Sequence, residues 1–162
     1  MDVTALAWED HIAIRDVLHS YCRLLDLRRP DQVPRSVFTE DAVLDYGRVP
    51  KPAGSAAIED MFTKSLAALS ATAHMVSNIE IFADGPDVTS STYVTAWHWM
   101  DTPGAPLVRP VDFCVVAVYE DTWTRTDAGW RIARRTLRPL GGGGVNVGEL
   151  PERFRGFAGV TG

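Results

Sequence analysis

The chain has 162 residues, a formal net charge of −5, and 46% apolar against 23% charged residues. Those values fit one globular domain able to bury a core without disulfide or metal staples. The acidic balance argues against a nucleic-acid partner, and no apolar run approaches the roughly 18 residues of a membrane span.

The first residues, Met1-Asp2-Val3-Thr4, lack the basic-then-apolar pattern of a secretion signal, which predicts a cytoplasmic protein. Ile12 to Asp26 predicts a helix: Ile14, Val17, Leu18, Tyr21 and Leu25 make one apolar stripe. Pro30 and Pro34 bound it, and Val33 to Phe38 reads as a short helical turn. Ala42 to Tyr46 alternates as a strand, ended by Gly47, Pro50 and Pro52. Ser55 is the expected N-cap of a second helix, with Ile58, Met61, Phe62, Leu66 and Leu69 on its apolar face. From His74 the period changes to two, and strands are expected at about 74–83, 87–100, 111–125 and 130–138. Asp84-Gly85 and Asp127-Ala128-Gly129 are turns between them, and Thr102 to Pro110 is a longer loop. Gly141 to Gly144 is expected to end the sheet. The division expected is a domain over 1–140 and a glycine-rich tail over 141–162. Helices first and antiparallel strands after is an α+β order, a curved sheet with helices on one face.

Candidate chemistry begins with Asp26 and His74. A carboxylate that holds an imidazole is the smallest arrangement able to move a proton at neutral pH. Asp26 sits at the C-terminal end of its helix, where a negative charge opposes the macrodipole. It lies roughly 120° round the helix from Ile14, at the rim of the apolar stripe. The alternative is a solvated helix-end acid. His74 opens a strand whose same-face partners are read as Val76, Asn78 and Glu80, a half-polar face; the alternative is a structural histidine. His98 lies between Trp97 and Trp99, as a second polar group in a pocket or a histidine bonded to backbone. Tyr46 could donate to a developing enolate or cap the core. Tyr93, Trp97 and Trp99 share a face of the kind used between subunits.

Cys22 and Cys114 lie in apolar segments and read as free thiols. Arg131, Arg134, Arg135 and Arg138 form the largest basic cluster. Nucleotide-binding loops, the nucleophile elbow and metal-binding helix motifs are absent, and His11 and His19 point about 80° apart on their helix, so no cofactor and no metal are expected.

Several segments together resemble the SnoaL-like family of the nuclear transport factor 2-like superfamily, in the branch of scytalone dehydratase and bile acid 7α-dehydratase. They are Tyr21-x-x-x-x-Asp26, Phe38-Thr39-Glu40-Asp41-Ala42, Gly54-Ser55-x-x-Ile58, Thr72-Ala73-His74-x-x-x-Asn78 and the late Asp127 to Ile132 hairpin. The resemblance covers about residues 8–140. It implies a cone-shaped, cystatin-like fold: a curved antiparallel sheet wrapped around the N-terminal helices, with a hydrophobic pocket at the open end. It implies an Asp26–His74 dyad assisted by Tyr21 and Tyr46; Met61, Phe62, Trp97, His98 and Asp101 are the further candidates for contact with the substrate. Leu25 stands where scytalone dehydratase has a tyrosine, which argues against the same substrate. The implied function is a cofactor-free lyase acting on a small hydrophobic, polycyclic or aromatic hydroxy-carbonyl compound. An isomerase with the same dyad and a non-enzymatic ligand-binding or scaffold protein, including an oxygenase small subunit, are the alternatives. A homodimer or homotrimer is expected. One geometric tension accompanies the reading: Tyr21 and Asp26 lie about 140° apart on an ideal helix.

Overall fold

A computed structural model describes residues 6–47 and 50–144. The elements run α1 (Trp8–Asp26), α2 (Val33–Val37), β1 (Phe38–Asp45), α3 (Ser55–Leu66), β2 (Leu69–Asp84), β3 (Asp87–Met100), β4 (Phe113–Thr126) and β5 (Gly129–Gly144). The strands form a curved five-stranded sheet in the order β1-β5-β4-β3-β2, with the helices packed on one face, an α+β fold. The sheet is mixed: β1 pairs parallel with β5, and the other three pairings are antiparallel. The parallel edge follows from topology, because α3 and β2–β4 intervene before β5 returns beside β1. Among the described residues no helix is long and apolar enough to cross a membrane.

Helix α1 begins at Trp8, four residues before the expected Ile12. Glu9 and Asp10 in its first turn suit the helix dipole, and Asp10 also accepts from Trp130 Nε1 at 3.0 Å and pairs with Arg125. Ile14, Leu18, Tyr21, Cys22 and Leu25 are its buried stripe. Helix α3 is capped by Gly54 rather than Ser55: Gly54 has φ +79°, its N–H donates to Ala42 O, and its carbonyl accepts from Ile58 N–H. A side chain at φ +79° would be strained, so glycine fits this corner. Leu69 starts β2 and does not end α3, so β2 begins five residues earlier than His74. The four glycines do not end the sheet; β5 runs through Gly144, opposite Phe113. A Cβ on Gly144 would collide with Asp112 O, which is why glycine stands there. The rest of the expected tail, 145–162, lies outside the described residues. Both cysteines are free, Cys22 in the core and Cys114 half-buried.

Two bulges change which residues face the core. In β2 the register shifts between Ser77 and Glu80, around Asn78 at φ +48°. Beyond it Ile79, Ile81 and Ala83 pack on the core, while Asn78 and Glu80 are exposed. The half-polar face expected around His74 is therefore not formed. In β5 a shift lies between Ile132 and Arg134, and Arg135 turns inward where strict alternation would place Arg134.

Arg135 is fully buried. Its Nε and Nη2 donate to the two oxygens of the equally buried Asp121, each at 2.7 Å. Its guanidinium carbon lies 4.4 Å from the Tyr21 ring centroid and 4.0 Å from that of Tyr119. Burial acts to lower the Arg135 pKa, but the Asp121 carboxylate outweighs it and keeps the guanidinium charged. The expected basic cluster is thus no basic surface: Arg135 is inside, and Arg138 pairs with Glu120 at 3.1 Å. Removing one member of a buried ion pair leaves an uncompensated charge, at a cost of about 3–5 kcal/mol. Asp121→Ala is expected to lose that much stability in urea unfolding. Asp121→Leu combined with Arg135→Met is expected to recover most of it.

Candidate active site

The end of α1 sets the site. Arg28 adopts φ +58° and closes the helix: its N–H donates to Leu25 O at 2.9 Å, and the Arg29 N–H donates to Leu24 O at 2.8 Å. This pair of bonds is the Schellman arrangement, with arginine where glycine usually stands. The Arg28 side chain donates to Leu66 O and Leu69 O, tying the helix end to the corner between α3 and β2. Asp26 thereby comes to rest against the first turns of β2.

There its carboxylate accepts three bonds. His74 Nδ1 lies 2.7 Å from Oδ1, the His74 main-chain N–H donates to Oδ2 at 3.0 Å, and Thr72 Oγ1 donates to Oδ1 at 2.8 Å. Burial acts to raise the Asp26 carboxyl pKa, but the bonds from the His74 ring, the His74 main chain and Thr72 outweigh it and hold the group below its ordinary value. An ionised carboxylate only accepts, so Nδ1 carries a proton and Nε2 is the ring nitrogen turned away from Asp26. The His74 side chain is 8% exposed and forms part of the wall of a cavity of about 100 Å³.

The opposite wall is aromatic. Tyr21 packs edge-on to His74 at 6.5 Å, Phe62 at 5.9 Å and Tyr119 at 5.7 Å between centroids. Its hydroxyl lies 2.9 Å from that of Tyr46, which stacks on Tyr119. Burial pushes all three phenols well above their ordinary pKa, so they remain protonated. The angular tension between Tyr21 and Asp26 is resolved by reach. Tyr21 turns its ring into the cavity, whereas Asp26 stands behind His74 and does not line it.

His98 lines the cavity beside His74, edge-on at 5.7 Å, and stacks flat on Phe113 at 4.3 Å. Burial, then the neighbouring His74, bring its pKa down to about 3. Met61 and Phe62 lie on the cavity wall. Trp97 and Asp101 do not. Trp97 alternates with Ala96 and His98 and so projects from the other face of β3, and Asp101 is exposed beyond the strand end. The sequence reading missed Thr72, Tyr119 and the Asp121–Arg135 pair. Thr72 was in a recognised segment without a role, Tyr119 was hidden in an apolar run, and the bulge that turns Arg135 inward has no local signature. Among the described residues no group of His, Cys, Asp and Glu could hold a metal ion.

Residues 7–136 match the SnoaL-like domain family. The chain belongs to the SnoaL-like family. It is 35% identical over 133 residues to the uncharacterised protein Rv2910c of Mycobacterium tuberculosis, a match over 78% of this chain and 82% of that one. A candidate aromatic ring hydroxylase of Novosphingobium aromaticivorans is 27% identical, with a TM-score of 0.73 over 88% of this chain and 97% of its own. A candidate scytalone dehydratase of the same species is 24% identical, with a TM-score of 0.71 over 83% and 87%, which shows a shared fold. The expected nuclear transport factor 2-like, cystatin-like architecture is therefore that of this SnoaL-like chain.

The environment of His98 has a consequence for stability. Its folded pKa of about 3 lies below the ordinary 6.5, so between those values the unfolded chain binds more protons than the folded one. Its contribution is complete above 6.5 and falls away as pH drops towards about 3. His98→Phe is expected to flatten the stability–pH curve across that window, measured by denaturant unfolding at each pH.

Proposed function

We propose that this SnoaL-like chain is a cofactor-free lyase that eliminates water from a small hydrophobic hydroxy-carbonyl compound, with His74 as base and Asp26 as its orienting partner. The observation that carries the reading is the 2.7 Å contact between Asp26 and the far nitrogen of a histidine on a cavity wall. The family to which the chain belongs supports it, as does the dehydratase-named neighbour of the same fold.

In this mechanism His74 Nε2 takes the proton on the carbon next to the carbonyl. Asp26 holds the Nδ1 proton and stabilises the imidazolium that forms, as the aspartate of a triad does for its histidine. The electron pair moves to the carbonyl oxygen, which accepts one O–H from the Tyr21–Tyr46 pair, the other being used in their mutual bond. The electrons then return, the carbon–oxygen bond to the β-hydroxyl breaks, and the imidazolium gives its proton to the leaving oxygen. The C–H and C–O bonds are lost, one C=C bond and one water are gained, and the enzyme returns to its starting state. His98, neutral at working pH, contributes contact and a hydrogen-bonding edge rather than charge. Exposed Met75, Phe82 and Tyr93 outside the core support association of copies of the chain.

The test is direct. A β-hydroxy ketone on one ring (3-hydroxycyclohexanone) and one on two rings (3-hydroxy-1-tetralone) are incubated with the protein, and enone or naphthol formation is followed by absorbance. Turnover of at least one is expected. His74→Ala and Asp26→Asn are expected to lower kcat by about 10² to 10⁴, the usual worth of positioned acid–base catalysis. A double bond that shifts without loss of water would assign an isomerase instead. Turnover of neither, or turnover indifferent to both substitutions, would point to the binding or scaffold reading.

A further inference from the structure

We propose that Thr72 is a positioning residue that sets how firmly His74 holds a proton, by donating to the same Asp26 oxygen that the imidazole uses. The inference rests on reading His74 as the base and adds to that reading the residue that tunes it.

The geometry comes from the strand. Thr72 and His74 lie two residues apart on β2 in unbroken register with β3, Thr72 opposite His98 and His74 opposite Ala96, so their side chains share a face. Both meet the carboxylate at the end of α1. Oδ1 of Asp26 receives two donors, Thr72 Oγ1 at 2.8 Å and His74 Nδ1 at 2.7 Å, while Oδ2 receives the His74 main-chain N–H at 3.0 Å. The main-chain donor comes with the backbone of the strand. Among the described residues the Thr72 hydroxyl is the one side-chain donor to Asp26 besides the His74 ring, so it can be removed with the dyad left whole.

Two donors on one carboxylate oxygen compete. Each draws negative charge towards itself, so the bond from Thr72 weakens the hold of Oδ1 on the Nδ1 proton. The same bond supports the ionised carboxylate: burial acts to raise the Asp26 carboxyl, and the bonds from His74 and Thr72 outweigh it. Thr72 thus sustains the charge on Asp26 and moderates what that charge does to the ring. A base that must hand its proton on to a leaving oxygen works best when it does not hold that proton too firmly.

No other group around the ring takes this part. Tyr21 from α1 lies edge-on at 6.5 Å, and burial pushes its phenol well above the ordinary range, as it does those of Tyr46 and Tyr119. His98 from β3 lies at 5.7 Å and is brought down to about 3 by burial, so it is uncharged near neutral pH. Arg135 on β5 stacks on Tyr21 and is paired with Asp121. The cavity residues that α3, β4 and β5 contribute include no Lys, Arg, Asp or Glu. Asp26 is therefore the charge that acts on His74, and Thr72 is the hydroxyl that shares it.

The experiment is an NMR titration of the full chain carrying isotope-labelled histidine, which follows protonation of the His74 ring without a substrate. The His74 signals are those absent from His74→Gln. Thr72→Val removes the donor and fills its place with a methyl group, so Oδ1 serves the ring alone. The His74 protonation curve is expected to move to higher pH by about half a unit or more, a part of the worth of a hydrogen bond to a charged group. Thr72→Ser keeps the hydroxyl and is expected to leave the curve in place. The sign separates tuning from simple support. If Thr72 only staples α1 to β2, its loss frees the carboxylate from the ring and moves the curve to lower pH. A lower or unchanged curve in Thr72→Val overturns the proposal, and so does an equal shift in Thr72→Ser. Should Thr72→Val not fold, Thr72→Ala is read by the same signs. The elimination reading fails separately. The expected shift with no dehydration of either hydroxy ketone keeps the role of Thr72 and removes the lyase. Dehydration that His74→Ala abolishes, with an unmoved curve in Thr72→Val, does the reverse.

Discussion

One carboxylate fixes the relation between the helices and the sheet at the point where chemistry is proposed. Asp26 accepts from the ring and the main chain of His74 and from Thr72, so it holds the strand as well as the side chain. Those bonds require α1 to stop where it does. Arg28 makes that stop in a left-handed conformation that costs a non-glycine residue roughly 1–2 kcal/mol. Its side chain offsets this by bonding Leu66 O and Leu69 O, main-chain acceptors at the α3–β2 corner. A glycine would close the helix with less strain but would leave the corner untied. The arginine is thus explained by what its side chain reaches, not by the turn it occupies.

Behind the tyrosines the same economy of partners recurs with charge. Burying an ion pair costs several kcal/mol per ion in desolvation, and the mutual attraction returns that only with good geometry. Asp121 and Arg135 have bidentate bonds at 2.7 Å, and aromatic rings cover the guanidinium at 4.0 and 4.4 Å. Such a pair is weak evidence of added stability. Its visible effect is orientation: the cation fixes the faces of Tyr21 and Tyr119, and Tyr21 so held places its hydroxyl on Tyr46. A hydrocarbon in place of Arg135 would fill the volume without that directional constraint.

The helices and the run of strands were legible because they rest on periodicity along the chain, and the pairing of Asp26 with His74 because their segments resemble those of the SnoaL-like family. What was not legible depends on single extra residues in the strands. Asn78 at φ +48° moves Ile79 and Ile81 to the core and sends Glu80 outward, and the shift before Arg134 sends Arg135 inward. A period of two cannot register such a change, because every residue after a bulge swaps faces. That one mechanism accounts for the loss of the half-polar face expected at His74 and for the separation of Arg135 from the other three arginines of the basic cluster. Trp97 is the opposite case. No bulge separates it from His98, and alternation alone already sets it on the other side of β3.

The two cavity histidines are only 5.7 Å apart but sit in opposite environments. His74 faces a carboxylate; His98 faces the flat ring of Phe113, and its pKa falls to about 3. Of the two, only His74 has a carboxylate in hydrogen-bond contact, which leaves the proposed reaction one proton carrier. A proton taken from a ligand can rest on His74, where Asp26 stabilises the resulting cation, but not on His98, which has no such partner. Removal and return of the proton then occur at one nitrogen on one wall. For the proposed elimination this requires the C–H and C–O bonds to break on the same face of the ligand, a syn course set by which histidine the carboxylate reaches.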